Sequence, residues 1–327
     1  MLRLLHGTNY DFIKPWRIAV GITAAFIALG LGYLAVHKIN YSIEFTGGTL
    51  MQLEFTQPPN VGDVRATVDA AGYPGSEIQQ FGNAREFTVR AAGHAAGAPV
   101  EKTAQDVERA LTAKFGNTVR VLRTEIVGPR VGAELKSNAL STILISLLVT
   151  LCYLAFRFEW RFGVAAVIAT GHDLLSTLAF LAIMRLEVSL TVVAALLTVI
   201  GYSLNDTIII FDRVRENLKK ARPEPLYDVL NRSINETLPR SILTHVTVAA
   251  ATLSLLLFAG EVIRPFSWIM MFGIVTGTFS SVYIAGPVLL WIERRWPRDQ
   301  KGASRTSSQS DAPRSVAASR PVAARTS

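Results

Sequence analysis

The chain has 327 residues, of which 50% are hydrophobic and 18% are charged, and its mean hydropathy is +0.32. Its apolar residues are gathered into long runs, which is typical of an integral membrane protein and excludes a water-soluble globular domain over most of the chain. The formal net charge of +8 does not indicate a nucleic-acid partner, because no predicted soluble segment has the basic face that such binding requires.

Six apolar runs are long enough to cross about 30 Å of hydrocarbon as helices that rise about 1.5 Å per residue. These runs are uncharged or nearly uncharged and extend over residues 18–36, 137–156, 162–184, 188–211, 241–260 and 265–292. The first is longer than the apolar part of a secretory signal, and no small-residue cleavage site follows it, so we expect a retained helix. The sequence therefore predicts a membrane bundle of six transmembrane helices, the first over residues 17–36 and the others within residues 137–292.

Residues 37–136, between the first two membrane helices, have the pattern of a soluble domain. Alternating apolar residues predict strands, and helix-capping residues followed by apolar residues at helical spacing predict helices, in the order β-α-β-β-α-β. The positions that mark these elements are Met51, Leu53, Phe55, Asn60, Gly72, Gly82, Asn83, Gly116, Val119 and Val121. This order predicts an inserted α+β domain with a ferredoxin-like fold, which hosts many functions and names none.

Two later segments have a different character from the membrane runs. The connection over residues 213–240 contains an apolar stripe at helical spacing, formed by Leu226, Val229, Leu230, Ile234 and Leu238. It predicts an amphipathic helix along the inner membrane surface. Residues 293–327 are rich in Ser, Ala, Arg and Pro and have no periodicity, which predicts a disordered cytoplasmic tail.

The distribution of basic residues predicts the orientation of the helices. Twenty of the 33 Lys and Arg lie in residues 1–17, 157–161, 213–240 and 294–327, whereas the short loops on the alternate side contain only Arg185 and Arg264. Basic residues favour the cytoplasmic side. We therefore expect a cytoplasmic N-terminus over residues 1–16, a cytoplasmic C-terminus and an extracytoplasmic soluble domain.

Small residues recur along two of the membrane helices, where they allow another helix to approach closely. The first ladder is Ala24, Ala28 and Gly32, and the second is Gly273, Gly277 and Ser281. They predict either packing within this bundle or a docking face for another membrane subunit.

The sequence has no phosphate-binding loop, zinc signature, nucleophile elbow or dinucleotide fingerprint. Its single cysteine, Cys152, provides neither a disulfide framework nor a thiolate metal site. We therefore expect no catalytic residue, no metal and no cofactor, and energy from nucleotide hydrolysis has to come from another protein.

Asp206 is the most informative ionisable residue, because a carboxyl group inside lipid is costly and usually faces a protein interior or a hydrated cavity. Asp212 and Arg213 mark the cytoplasmic end of its helix, which places Asp206 about 9 Å inside that end. In such surroundings it can exchange protons, although a structural carboxylate bonded to a neighbouring helix fits the pattern as well. Arg240, at the predicted start of the fifth helix, is either a cationic anchor at the membrane boundary or a partner for Asp206.

Three further residues are candidates for a relay or a helix contact. His172 and Asp173 lie near the middle of the third helix and form either a proton relay or a structural hydrogen-bonded pair. Asn205 immediately precedes Asp206. His245, one turn into the fifth helix, is interpreted as a packing residue.

Five segments in this order together resemble the SecF family of protein-export membrane proteins. They are Ile43-Glu-Phe-Thr-Gly-Gly-Thr, Val127-Gly-Pro-Arg-Val-Gly, the pair His172-Asp173, Gly201-Tyr-Ser-Leu-Asn-Asp-Thr and Asn235-Glu-Thr-Leu-Pro-Arg. Single fragments carry little weight, but five on the expected elements are specific, and the match extends over residues 15–295.

The resemblance implies a multi-pass subunit of the bacterial inner membrane that belongs to the resistance-nodulation-division class. It implies that SecD and this chain form a twelve-helix unit beside the SecYEG channel and use the proton gradient to draw unfolded preproteins outward. In the family's motif the membrane Asp and the Arg of the next helix are the proton-coupling residues, which here are Asp206 and Arg240. Membrane lipid is the other expected contact, and Pro239 and His245 have no place in the pattern.

Two other interpretations remain open at this point. A self-sufficient proton-driven exporter of lipid or small molecules normally needs two six-helix halves, and this chain offers one. A scaffold subunit without a proton role leaves Asp206 unexplained. The sister subunit SecD is disfavoured because it has a much larger external region than residues 37–136.

Overall fold

The computed structural model describes residues 8–91, 100–220 and 224–297. The helices are α1 (Trp16–His37), α2 (Ile43–Thr46), α3 (Val61–Ala70), α4 (Val100–Phe115), α5 (Pro129–Arg157), α6 (Trp160–Ile183), α7 (Leu190–Lys220), α8 (Leu226–Phe258), α9 (Arg264–Ser280) and α10 (Gly286–Arg295), and the strands are β1 (Gly48–Phe55), β2 (Glu77–Gln80), β3 (Glu86–Ala91) and β4 (Val119–Val127). A π-helical segment over Ser281–Ala285 joins α9 to α10. Within the described residues, six helices are long and apolar enough to cross a membrane, namely α1, α5, α6, α7, α8 and the joined α9 and α10. The prediction of six membrane helices is confirmed.

The soluble segment forms a four-stranded antiparallel sheet with the strand order β2-β3-β1-β4. One face of the sheet packs against α3 and α4 around a core of Met51, Leu53, Phe55, Val64, Val68, Phe87, Val89, Val107 and Leu111. Asn60 caps α3 by accepting a hydrogen bond from the N–H of Gly62 at 2.8 Å. Gly82 adopts a φ of +72° in the loop between β2 and β3, as its position in a predicted turn requires.

Two glycines allow the start of this domain to approach the membrane bundle closely. Gly47 has a φ of +71°, and a Cβ placed there would lie 2.8 Å from the Cα of Pro129, in the first turn of α5. A Cβ on Gly132 would lie 2.9 Å from the backbone nitrogen of Gly47. Side chains at either position would therefore separate the start of the domain from α5.

The predicted boundary between the soluble domain and the second membrane helix, after residue 136, is too late. α5 begins at Pro129, and its first turns contain Arg130, Glu134 and Lys136. These charges interrupt the apolar run but not the helix, so the helix begins before the apolar run does.

The connection predicted over residues 213–240 contains the expected helix from Leu226 onward, but this helix is not separate from the membrane helices. α7 continues to Lys220, and α8 runs from Leu226 to Phe258 without a break at Pro239. Arg240 therefore lies inside α8 and not at the start of a helix.

The apolar stripe predicted for that connection packs against protein. Val229, Leu230 and Ile234 are buried in one cluster with residues of α7 and α10, namely Ile210, Phe211, Val214, Leu289 and Ile292. A surface helix and a bundled helix have the same periodicity, so the stripe alone could not distinguish them.

The segment before α1 lies along the same part of α8. The N–H of Tyr10 donates to Oδ1 of Asn235 at 3.0 Å, and the N–H of Phe12 donates to Oδ1 of Asn231 at 2.8 Å. Ile13 is buried in the shared cluster. This segment thereby fixes the first half of α8 within the bundle.

The basic segments of the chain gather at one end of the bundle. Arg157 pairs with Asp212 at 2.5 Å, and Arg161 donates to the carbonyl of Pro297 at 3.2 Å. Residues 293–295, placed in the predicted disordered tail, are the end of α10. Trp296 and Pro297 follow this helix, and residues 298–327 of the predicted tail lie outside the described residues.

The second ladder of small residues packs within the bundle. A Cβ on Gly277 would lie 2.8 Å from Cβ of Ser203, and one on Gly273 would collide with Val199, so α9 lies directly on α7. The first ladder does not pack in this way. Its members are exposed, and Gly30 is instead the residue of α1 that lies against Ala179 of α6.

Candidate functional site

The bundle interior contains a fully buried carboxyl group at Asp173 of α6. Ser280 of α9 donates a hydrogen bond to its Oδ2 at 2.7 Å, and Ser203 of α7 donates to the same oxygen. Nδ1 of His172 lies 3.2 Å from Oδ1. Asp173 therefore ties three membrane helices together, and His172 and Asp173 form a hydrogen-bonded pair.

Asp206 lies one helical turn after Ser203 on α7 and is 4% exposed. Ser241 of α8 donates a hydrogen bond to its Oδ1 at 2.5 Å. One residue further, Oγ1 of Thr207 lies 2.8 Å from Oγ of Ser281 in the π-helical segment. Asp206 thus faces α8, while Thr207 faces the sixth membrane helix.

The predicted partner of Asp206 is not the one that contacts it. Among the described residues, no ion pair joins Arg240 to Asp206, and Arg240 is exposed. The next residue, Ser241, contacts Asp206 instead. A step of one residue turns a side chain by about 100° around a helix, so Ser241 faces inward while Arg240 faces outward.

Arg240 belongs to a row of small and polar residues that the described part of the chain leaves exposed. The exposed residues of the row on α8 are Arg240, Thr244, Thr247, Ala251 and Ser254, and those of a second row on α7 are Ala194, Thr198, Gly201 and Asn205. Since Asp206 and Ser241 mark the contact between these antiparallel helices, helical periodicity places both rows on the same side of that contact. We call this surface the α7–α8 outer face. Asn205 therefore points away from the buried carboxyl groups.

His245 packs as predicted. Its Nδ1 lies 3.1 Å from Oγ1 of Thr278, and its ring meets that of Tyr202 edge-on with a centroid separation of 5.3 Å. In the described part of the chain, the Tyr202 hydroxyl, Nε2 of His172 and the Ser176 hydroxyl are buried without a hydrogen-bond partner. A relay through His172 stays a prediction.

The hydroxyl groups that contact the two carboxyl groups were not predicted. Ser203, Ser280 and Ser241 are common residues in apolar runs, where they seldom indicate a site. The available signal was spacing, because Ser203 lies one turn before Asp206 and shares its side of α7.

A second polar region lies between the four-stranded sheet and the loops of the bundle. This interdomain cleft has a volume of about 360 Å³ and is lined by the helix-free face of the sheet. Its charged residues include Glu44, Glu77, Arg90, Glu125 and Glu187. Glu187 belongs to the loop between α6 and α7, so the cleft joins both parts of the molecule.

Glu187 has an unfavourable electrostatic position in this cleft. Burial raises its pKa above the ordinary value, Arg90 opposes the shift, and the carboxylates of Glu77, Glu44 and Glu125 add to it. The folded state therefore holds the Glu187 proton more tightly than the unfolded chain does. The associated stability is present in acid and is lost as pH rises through the raised pKa.

We expect Glu187→Gln to stabilise the protein at neutral pH, because the amide keeps an acceptor oxygen and has no charge to bury. Thermal unfolding in detergent should show a midpoint raised on the order of 1–2 °C at pH 7.5, with a smaller gain at pH 5. Glu86→Gln, on β3 but outside the cleft, is the control. An increase in midpoint that was larger at pH 5 than at pH 7.5 would contradict a raised pKa at Glu187.

Two family models match the chain. The model for the C-terminal part of protein export membrane protein SecD/SecF matches residues 107–295, and the model for the SecD/SecF GG motif matches residues 32–59. The chain is 61% identical over 305 residues to the protein translocase subunit SecF of Gemmatimonas aurantiaca, covering 91% of each chain. It is 38% identical over 279 residues to that of Vibrio alginolyticus, covering 85% of this chain and 88% of the relative.

The structure is also similar to a solved one. The crystal structure of SecDF, a translocon-associated membrane protein from Thermus thermophilus, superposes with a TM-score of 0.81 at 35% sequence identity. The superposition covers 90% of this chain and 40% of that one. The chain thus spans less than half the length of the SecDF chain.

Proposed function

Because the chain belongs to the SecF family, we propose that it is the SecF subunit of the Sec translocase accessory complex and acts with SecD to couple the proton gradient to preprotein export. The observation that carries this proposal is Asp206, a buried carboxyl group beside a polar face of the bundle that the described residues leave exposed. A self-sufficient exporter would have to cover that face with a second half of its own.

Asp206 is the proton carrier in this proposal, and Asp173 is a structural carboxylate. Asp173 receives contacts from Ser203, Ser280 and His172, which engage both of its oxygens. Asp206 has one hydrogen-bond partner among the described residues, Ser241. A carboxyl group with few fixed partners can gain and lose a proton without disrupting several helix contacts.

SecD covers the α7–α8 outer face in this proposal. Polar groups are costly in hydrocarbon, and rows of small residues permit close helix packing. Arg240 lies on this face, so a partner helix placed there would remove it from lipid and bring it under the partner's control. Arg240 therefore acts at the junction of the two subunits. Asp206 lies behind this junction, at the contact between α7 and α8.

The remaining assignments follow from this placement. Both termini are cytoplasmic, because the basic segments gather at one end of the bundle, and the chain resides in the bacterial inner membrane. The external domain is ferredoxin-like, supported by the element order and the strand order β2-β3-β1-β4. It faces the unfolded preprotein that leaves the SecYEG channel.

Purification of the native complex tests the proposed function. SecD and SecYEG are expected to purify with this chain, whereas a homo-oligomer alone would support the exporter. Thr247→Trp places a bulky ring on the α7–α8 outer face and should reduce SecD recovery at least about tenfold. Leu253→Trp, on the lipid-facing side of the same helix and 44% exposed in this chain, should leave recovery unchanged. Equal recovery with both variants would place SecD elsewhere.

A further inference from the structure

The outer end of α7 is capped by residues from two distant parts of the chain. The N–H groups in the first turn of a helix have no partner within that helix. Oγ of Ser189 accepts from the N–H of Val192 at 3.3 Å, which is an ordinary N-cap. The N–H of Leu190 donates to Oε2 of Glu44 at 2.6 Å, across a sequence separation of 146 residues. A carboxylate also interacts favourably with this end of the helix dipole.

Glu44 belongs to the segment that leads from α1 into the external sheet. Tyr41 in this segment forms a parallel bridge with Val188 in the loop before α7. The N–H of Ser42 donates to the carbonyl of Val188 at 2.9 Å, and the N–H of Val188 donates to the carbonyl of Asn40 at 2.7 Å. Backbone hydrogen bonds and the Glu44 cap therefore attach this segment to the start of α7.

Arg90 of β3 fastens the sheet itself to the same place. One nitrogen of its guanidinium group pairs with Glu187 in the loop before α7. A second nitrogen, Nη1, donates to the carbonyl of Tyr41 at 3.2 Å and to Oε2 of Glu77 at 3.1 Å. Arg90 thus contacts the sheet, the lead-in segment and the α6–α7 loop at once. We call Glu44, Arg90 and Glu187 the α7 clamp.

We propose that the α7 clamp transmits displacement of the external domain to Asp206, with Glu44 and Arg90 as positioning residues. α7 is one uninterrupted helix from Leu190 past Asp206, so a shift at its outer end moves Asp206 relative to Ser241 on α8. A continuous packed element of this kind can connect two distant sites. The inference rests on the proposed proton-coupling role of Asp206.

Hydrogen exchange in the reconstituted complex with SecD tests the physical link. Glu44→Ala removes the acceptor of the Leu190 N–H and should raise exchange at Leu190 and Thr191 at least about threefold. Glu44→Gln keeps an acceptor oxygen and should show little change. Glu86→Ala is the matched control, because Glu86 contacts Gln52 and Asn83 within the external domain.

A charge exchange tests the contribution of Arg90 separately. Arg90→Glu places a carboxylate against those of Glu187 and Glu77 and should raise exchange at the start of α7. The double variant with Glu187→Arg should restore part of the protection, because it rebuilds one of the two ion pairs. Restoration by the second charge change is expected from a direct ion pair and not from general loss of folding.

Export in inverted vesicles tests transmission. Glu44→Ala should lower the gradient-dependent stimulation of export by at least about half, with gradient-independent export unchanged.

Unaltered exchange at Leu190 in Glu44→Ala would overturn the clamp. If Glu44→Ala raised exchange but kept the full gradient response, transmission through the clamp would be overturned. The proposed function would still be supported if Asp206→Asn lost its response to the gradient. If Asp206→Asn itself responded fully, the proposed function would fail, and the exchange data would still decide whether the clamp exists.

Discussion

Asp206→Asn should abolish the part of preprotein export that depends on the proton gradient. Asparagine has nearly the same size as aspartate, and its carbonyl oxygen can still accept the hydrogen bond from Ser241, but it cannot ionise. Asp206→Glu keeps an ionisable group and moves it by about one methylene, so it should retain part of the stimulation. Export into inverted vesicles with and without a proton gradient measures both effects.

Asp173→Asn is the matched control, because it makes the same change at the other buried carboxyl group of the bundle. An amide oxygen accepts weaker hydrogen bonds than a carboxylate oxygen does, and at Asp173 two such bonds, from Ser203 and Ser280 on two other helices, are weakened together. Asp173→Asn should therefore lower the abundance of the protein in the membrane, whereas Asp206→Asn should leave abundance and SecD association near normal. A full gradient response in Asp206→Asn would show that this residue does not carry the coupling.

The membrane helices and the carboxyl group at Asp206 could be predicted from the sequence because both follow from the cost of polar groups in hydrocarbon. The thickness of the bilayer sets the length of an apolar run, and an ionisable residue within one is conspicuous. The alternation in the soluble domain was equally informative, since Met51, Leu53 and Phe55 all lie in its core. These are local patterns with a single dominant physical cause.

The partner of Asp206 was not predictable in the same way, because it depends on the continuity of α8. Pro239 followed by Arg240 suggests a helix start, where proline is favoured. In the structure Pro239 lies inside α8, a position that neighbouring helices make tolerable in membrane proteins. Because α8 continues through both residues, Ser241 faces Asp206 and Arg240 faces outward.

The sixth membrane helix contains a similar departure from the regular pattern. In a regular α-helix Pro287 would clash with the carbonyl group four residues earlier. Here a π-helical segment, Ser281–Ala285, immediately precedes Gly286. π-helical turns are rare and often occur at functional sites. Here Ser280 contacts Asp173 and Ser281 contacts Thr207. Apolar content alone could not reveal these two consecutive inward contacts.

Gly277→Leu should remove most of the folded protein from the membrane. A Cβ at this position would lie 2.8 Å from Cβ and 3.2 Å from Cα of Ser203, and the backbone of α7 cannot yield without moving the whole helix. Overpacking of a well-packed interior typically costs about 1–3 kcal/mol, and leucine adds further atoms beyond the first. The displaced Ser203 would also release Asp173, which ties α7 to α6 and α9.

Gly171→Leu is the matched control on a neighbouring membrane helix, because no atom lies within 4 Å of a Cβ built at Gly171. It should be tolerated far better, although both variants make the membrane span more apolar. Immunoblotting of membranes and protease resistance of the purified protein measure the difference. Comparable abundance and protease resistance of the two variants would mean that α9 does not pack directly on α7, and the contacts of Ser203 and Ser280 with Asp173 would then not hold the bundle together.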